Sequence, residues 1–344
     1  MTGSFFAWLD QASASEQLNC LISGGWIAQA IRVAADLGIA DLLADGPKSG
    51  DELAQATGSH PRALYRVLRM LASVGIFSER EPGQFALTAM ADLLRSDSPT
   101  SLRGRARFAG GETQWQAWSE LRHSVKTGNT AFEYVHGMDV WEYRAKNPAA
   151  GAAFNAAMTS LSLQVAGAVV EAYDFSGLDL VVDVAGGHGA LLTAVLRAIP
   201  GLRGIVTDLP HVTEGAEQAV AEADLGDRCT VVAGNMFDGV PSGGDAYLLS
   251  YIIHDWDDDR SIAILESCRK AMKPDGKVLL IEEIIPPGDC PSFGKLSDLQ
   301  MLIAAGGQER TEDEYRALCA AAGLRLTRVI PTRVARSIIE CALA

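Results

Sequence analysis

Apolar side chains recur every three or four residues along the first part of the chain and, from Leu178 onward, gather into short continuous runs. The first spacing is that of helices with one buried face, and the second that of strands covered on both faces. Residues 23–43 are largely apolar at helical spacing (Ile27, Ala30, Ile31, Ala34, Leu37), ending near Gly38. Ser49-Gly50-Asp51-Glu52 matches a capping box, in which each side chain accepts from the other's backbone N–H, and opens a short helix ending at Thr57-Gly58. Ser59-His60-Pro61 starts a third helix with Leu64, Val67, Leu68 and Leu71 on one face and Gly75 at its end. Residues 76–78 and 84–87 flank the turn signal Glu81-Pro82-Gly83 and predict a two-stranded wing.

Helix, turn, helix and wing is the plan of a winged helix, and Arg62, Arg66 and Arg69 stand where a recognition helix would use them. Charge argues against DNA. Residues 1–100 hold 11 acidic and 7 basic side chains, and the whole chain has a net charge of -14. Affinity for nucleic acid rests on Lys and Arg neutralising phosphates, so packing or dimerisation is the expected role of this region. Residues 101–175 read as helical, with Trp115/Trp118 and Phe154/Met158 at helical spacing.

Beyond them, apolar runs at 180–184, 204–206, 229–233, 247–253 and 277–281 alternate with helical stretches at 190–199, 214–223 and 260–272. Such alternation predicts an α/β fold with a doubly wound parallel sheet. Residues 324–330 and 337–343 follow each other with no helix between, which predicts an antiparallel hairpin at the sheet edge. The expected organisation is a winged-helix-like domain over 1–100, a helical linker over 101–175 and an α/β domain over 176–344.

Composition excludes more than it assigns. The cysteines (Cys20, Cys229, Cys268, Cys290, Cys319, Cys341) form no CxxC pair, so neither a zinc site nor a disulfide framework is expected. No run approaches the ~18–20 uninterrupted apolar residues of a membrane span. Residues 1–10 lack the basic start and apolar run of a signal peptide, so the expectation is a cytoplasmic protein with no membrane partner.

The chemistry-bearing segment is Asp183-Val184-Ala185-Gly186-Gly187-His188-Gly189, between a strand and a helix. In open α/β sheets ligands bind at the carboxyl ends of strands, and glycines there let the backbone approach them. A dinucleotide fingerprint read from Gly187 and Gly189 needs a small third residue, but Leu192 stands there. Asp208 ends the second strand, where a carboxylate accepts from ribose hydroxyls, and Gly234-Asn235-Met236-Phe237 follows the third. Met236 offers an adenine ring an apolar face, and Asn235 a carbonyl oxygen for its amino group. Three such groups on consecutive strand ends point to an adenosyl cofactor.

With these residues in place the chain resembles the S-adenosylmethionine-dependent O-methyltransferases of the caffeate, hydroxyindole and bacterial natural-product type. The likeness runs over roughly residues 15–343. It is anchored by residues 183–189, Asp208-Leu209-Pro210-His211, Gly234-Asn235-Met236-Phe237, His254-Asp255-Trp256 and Gly306-Gly307-Gln308-Glu309-Arg310-Thr311. It implies an N-terminal winged-helix dimerisation domain, a Rossmann-like catalytic domain, a homodimer, and S-adenosylmethionine held by Asp183, Gly186, Gly187, Gly189, Asp208, Leu209, Asn235, Met236, Phe237 and Ser250. The chain departs from the family where Ala185 replaces a glycine, where Asn235 replaces Asp, and where Ser250 replaces the lysine of plant relatives. Ala185 is harmless if its φ is negative.

By the same resemblance His254 is the general base, flanked by Glu282 and Glu309. A phenol near pKa ~10 attacks a methyl group poorly while protonated, and an imidazole near ~6.5 is a suitable base. Asp255, Asp257, Asp258 and Asp259 precede a helix, where acidic side chains cap N–H groups, and no metal is assigned. For a planar aromatic hydroxylated acceptor the expected contacts are Phe154, Met158, His254, Asp255, Trp256 and Met301. The alternatives are non-methylating chemistry on the same fold and cofactor (hydroxylation, decarboxylation or a pericyclic step), and a ligand-responsive DNA-binding regulator.

Overall fold

The computed structural model describes residues 5–344. They form two compact units: one holds the chain up to Trp115 together with Ala156–Leu161, the other Gln116–Asn155 and Ser162–Ala344. The stretch read as a linker over 101–175 is therefore divided between them, and with it the long helix Pro148–Ala172.

In the first unit the capping box forms as expected: Glu52 N–H donates to Ser49 Oγ at 3.2 Å, and Ser49 N–H to Glu52 Oε2 at 2.7 Å. The helix Gly50–Thr57 ends on left-handed Gly58. The next helix, Pro61–Ser73, buries Leu64, Leu68 and Leu71 and leaves Arg62, Arg66 and Arg69 exposed. The apolar segment 23–43 breaks at Gly38, whose φ of 66° ends the helix Gly24–Asp36 before the short helix Ile39–Leu42. The expected two-stranded wing has a third strand. Strands β1 (Lys48–Ser49), β2 (Phe77–Glu81) and β3 (Gln84–Leu87) lie in the order β1-β3-β2, all antiparallel. Two residues are too few for a periodic signal, so β1 is recognised only by its pairing.

The second unit is a seven-stranded sheet of β4 (Leu180–Val184), β5 (Arg203–Asp208), β6 (Cys229–Ala233), β7 (Ala246–Ser250), β8 (Lys277–Glu282), β9 (Leu324–Pro331) and β10 (Ser337–Leu343). Its order is β6-β5-β4-β7-β8-β10-β9, with β4 to β8 parallel and β10 antiparallel to both β8 and β9. The doubly wound sheet and its antiparallel edge are as the pattern predicts. The chain builds outward from β4 through β5 to β6, then crosses back to place β7 on the other side of β4. Strand order thus reverses between β4 and β7, and a crevice for ligand opens at such a point.

β4, β7 and β8 are covered on both faces, which is why they read as unbroken apolar runs. One face packs Val181, Leu248, Leu279 and Ile281 against Leu191, Val195 and Val169; the other packs Val182, Tyr247, Leu249 and Leu280 against Ile264, Leu265 and Leu318. The helix Pro148–Ala172 reaches the length and hydropathy of a membrane span, a signal that polar interruptions such as Asn155 and Gln164 hide from a search for unbroken runs. Its Val165, Ala166 and Val169 are buried in the core of this unit.

Candidate active site

The glycine-rich turn starts where β4 ends and hands over to the helix Ala190–Ala198. Gly189 has φ 73°, and a Cβ there would stand 2.9 Å from Val206, while one on Gly186 would stand 2.6 Å from the Asp183 carboxyl carbon. Only glycine fits either position. Gly187, at φ 58°, faces open space. Ala185 has φ 51°, so the condition for its harmlessness fails: an L-residue in the left-handed region costs about 1–2 kcal/mol. Leu192, too large for a dinucleotide fingerprint, is accommodated by the opposite strand, where a Cβ on Gly204 would meet it at 2.7 Å.

Asp208 reaches across from β5. Its carboxylate accepts from Gly187 N–H at 2.8 Å and Leu209 N–H at 2.7 Å, which ties the second strand end to the turn. Burial nevertheless raises its pKa, against those bonds and the nearby His211 and His188. Asp183 is pushed up to about 7, first by burial and then by Asp208, with the Leu192 N–H acting the other way. Asp183 Oδ2 and Ser250 Oγ are buried without hydrogen-bond partners, at the ends of the two strands that flank the reversal. Glycine cradle, anchored carboxylate and orphaned polar atoms together fit an adenosyl cofactor carrying positive charge. Asn235 is committed in part, because its Oδ1 accepts from Phe237 N–H at 3.1 Å in a local turn. Met236 is half-buried beside it, and Phe237 and Leu209 are exposed.

The strand expected over 247–253 stops at Ser250. Tyr251 takes φ 59°, and Glu282 Oε1 accepts from Ile252 N–H at 3.0 Å and Ile253 N–H at 2.9 Å. A left-handed residue and a carboxylate cap turn the backbone out of the sheet into the 3-10 turn Ile253–Asp255. Arg310, 1 % exposed, clamps that turn by donating to the carbonyls of Ile253 and Trp256 and to Asp258. Gly307 crosses so close that a Cβ there would overlap the His254 carbonyl oxygen.

His254 is 5 % exposed, and its Nδ1 lies 2.9 Å from Glu309 Oε1 and 3.7 Å from Glu282 Oε2. A carboxylate only accepts, so Nδ1–H donates and Nε2 is left to gain or lose a proton. Burial opposes charge on the ring, but Glu282, the bond to Glu309 and Asp255 outweigh it and raise His254 to about 9. Glu309 pays the same burial penalty yet is held below the ordinary carboxylate range by its bond from His254. Glu282, lacking that bond, is pushed up by burial and by Glu309.

Of the four aspartates read as helix-starting, Asp257 caps the helix Asp258–Ala271 through Arg260 N–H, and Asp258 and Asp259 lie in its first turn. Asp255 does not: it is half-buried, with Oδ1 3.8 Å from His254 Nε2. Glu283 and Asp298 are structural, accepting from Gly294 N–H and Glu309 N–H.

Phe154 and Trp256 come together through a residue the sequence reading passed over. Trp141 stacks on Trp256 (5.6 Å, 19°) and meets Phe154 edge-on (5.9 Å, 82°), while Arg144 lies 3.5 Å over the Phe154 ring. Trp141 and Arg144 sit three apart on the helix Val140–Lys146, a spacing that would have revealed their shared face. Met301 is half-buried one turn beyond Asp298 on the helix Phe293–Ala304. Met158 is half-buried on the helix Pro148–Ala172. Arg336, also passed over, lies just before β10 and close to both Glu282 and Glu309. An arginine opening an apolar strand was its one signal.

Comparison with known proteins identifies the family. A model of the O-methyltransferase domain matches residues 118–325, and one of the O-methyltransferase dimerisation domain matches 19–97. The chain is 50% identical to a phenazine O-methyltransferase of Lysobacter antibioticus, over 93% of this chain and 94% of that protein. It is 42% identical to a mitomycin biosynthesis 6-O-methyltransferase of Streptomyces lavendulae, over 93% and 92%. Among solved structures, LaPhzM superposes with a TM-score of 0.92 at 49% identity, covering 97% of this chain and 100% of that one. An O-methyltransferase from neocarzinostatin biosynthesis, crystallised with S-adenosylmethionine and 2-hydroxy-5-methyl naphthoic acid, superposes at 0.77 with 35% identity, covering 92% and 96%.

Proposed function

The chain belongs to the S-adenosylmethionine-dependent O-methyltransferases of natural-product type, and we propose that His254 is its general base, acting on a hydroxyl of a planar fused-ring aromatic. The observation that carries this reading is the buried imidazole held through Nδ1 by Glu309, with Nε2 left free of that bond. S-adenosylmethionine supplies an electrophilic methyl group on a sulfonium. The acceptor oxygen must shed its proton as it attacks, and Nε2 receives it. Glu309 then lies against the imidazolium and stabilises it, while Glu282 keeps the turn from rotating the ring away. General base catalysis of this kind is worth ~10²–10⁴-fold. Because His254 is raised to about 9, the free base grows as pH rises towards that value, and kcat/KM rises with it.

Asp183, Gly186, Gly187, Gly189, Asp208, Leu209, Asn235, Met236, Phe237 and Ser250 hold the adenosyl group in this reading. Glu282 and Glu309 face two basic side chains, His254 and Arg336, and this reading assigns the cluster no metal. The ladder of Phe154, Trp141 and Trp256 supports a flat acceptor, as do relatives named for phenazine and naphthoate substrates. Met301 and Asp255 complete that side. A homodimer formed through the dimerisation domain belongs to the same proposal. Incubation with S-adenosylmethionine and a panel of hydroxyphenazines, hydroxynaphthoates and hydroxybenzoates, read by mass spectrometry, tests the acceptor class. A methylated fused-ring product with one S-adenosylhomocysteine per product is expected. Product formed without S-adenosylhomocysteine would favour the non-methylating alternative.

A further inference from the structure

Arg336 is 5 % exposed, and the sheet places it. Ser337, the next residue, pairs across the ladder with Glu282, so Arg336 enters the site at the end of β8 where Glu282 projects. The loop before it is closed by Thr332 Oγ1, which donates to the Arg336 carbonyl at 2.6 Å. Arg336 Nη1 stands 3.7 Å from Glu282 Oε2 and 3.5 Å from Glu309 Oε2. Each carboxylate is divided in the same way. One oxygen serves His254 or its turn: Glu309 Oε1 takes the imidazole, and Glu282 Oε1 takes the N–H groups of Ile252 and Ile253. The other, Oε2, is buried, has no hydrogen bond, and faces Arg336 Nη1, which has none either. At these separations the contact is Coulombic rather than a hydrogen bond. The guanidinium also lies 4.1 Å over the Tyr251 ring, and that ring lies 5.8 Å from the imidazole.

Resting on the reading of His254 as the base, we propose that Arg336 is a positioning residue that acts through His254: it shares Glu282 and Glu309 with the imidazole, and that sharing sets how tightly the ring holds its proton. The arithmetic of charge gives the direction. Two carboxylates face two cations, and removing one cation leaves both carboxylates to the other. The remaining groups that face the cluster are Asp255 and Tyr251 on the histidine's own segment, Arg144 beside Asp255, Arg310 and Asp298 on either side of Glu309, and Tyr315 on the helix Glu312–Ala321. None of them reaches both glutamates with a positive charge as Arg336 does.

The test follows His254 itself. In protein labelled with ¹³C at the histidine rings, the His254 signal is identified by its loss in His254→Ala, and its titration midpoint is compared between the native chain and Arg336→Met. The midpoint is expected to move to higher pH in Arg336→Met, the rising limb of kcat/KM to move with it, and the dissociation constant for S-adenosylmethionine to stay within twofold. Arg336→Gln, neutral but polar, serves if the Met variant does not fold, and Arg336→Lys is expected to return the midpoint most of the way. An unmoved midpoint, with turnover reduced equally at every pH, overturns the proposal. Failure of the base assignment reads differently: turnover would then be indifferent to His254→Ala, whatever the imidazole signal does.

Discussion

The turn at residues 183–189 is made of backbone, and the cluster around His254 is made of charge. In the turn, Gly186 and Gly189 leave space that a Cβ would fill, and one carboxylate, Asp208, fastens the loop through an N–H. In the cluster, Glu282, Glu309 and Arg336 come from three separate segments to meet a histidine on a fourth. On the proposed reading the first arrangement holds the cofactor by shape, and it can be written in seven consecutive residues. On the same reading the second tunes a proton affinity, which requires opposite charges buried together, and no short stretch of sequence can supply that.

The sharpest break between the two is functional. His254→Ala should lower kcat by ~10²–10⁴-fold while calorimetry finds cofactor binding unchanged, since the base acts on the acceptor and not on the turn. Asp208→Asn should do the reverse. It weakens the cofactor's dissociation constant by roughly tenfold or more, as loss of a charged hydrogen-bond acceptor does, with kcat at saturation largely kept. If Asp208→Asn lowered kcat and left binding intact, the two regions would not be separable. The smallest effect is confined to the turn: Ala185→Gly removes a side chain from a left-handed position, and should raise thermal stability by up to ~1 kcal/mol with no change in the pH dependence of turnover.

The same contrast explains what could be read from the sequence. The turn, Asp208 and the sheet were legible because each is local: an apolar run, a glycine string, an acidic residue at a strand end. His254, Glu282 and Glu309 were legible only through a family resemblance, since nothing in their spacing brings them together. Arg336 offered no signal beyond its place before an apolar strand, because its role comes from the antiparallel register that sets Ser337 opposite Glu282. Tyr251 was hidden in an apolar run that continued past the true end of β7, and its φ of 59° is imposed by tertiary contacts rather than by residue type. Asp255 was grouped with its acidic neighbours by sequence proximity, yet it lies beside His254 Nε2 while Asp257 caps the helix.

The central claim is that His254 is a base whose proton affinity is set by the carboxylates around it. The most direct test compares the pH dependence of kcat/KM for the native chain and Glu309→Gln on one acceptor, so that the acceptor's own titration is common to both. Gln can still accept from Nδ1–H, and only the charge is lost. The native rising limb should lie well above the ordinary imidazole range, towards about 9, and the limb of Glu309→Gln should shift to lower pH. Superimposable limbs would contradict the account.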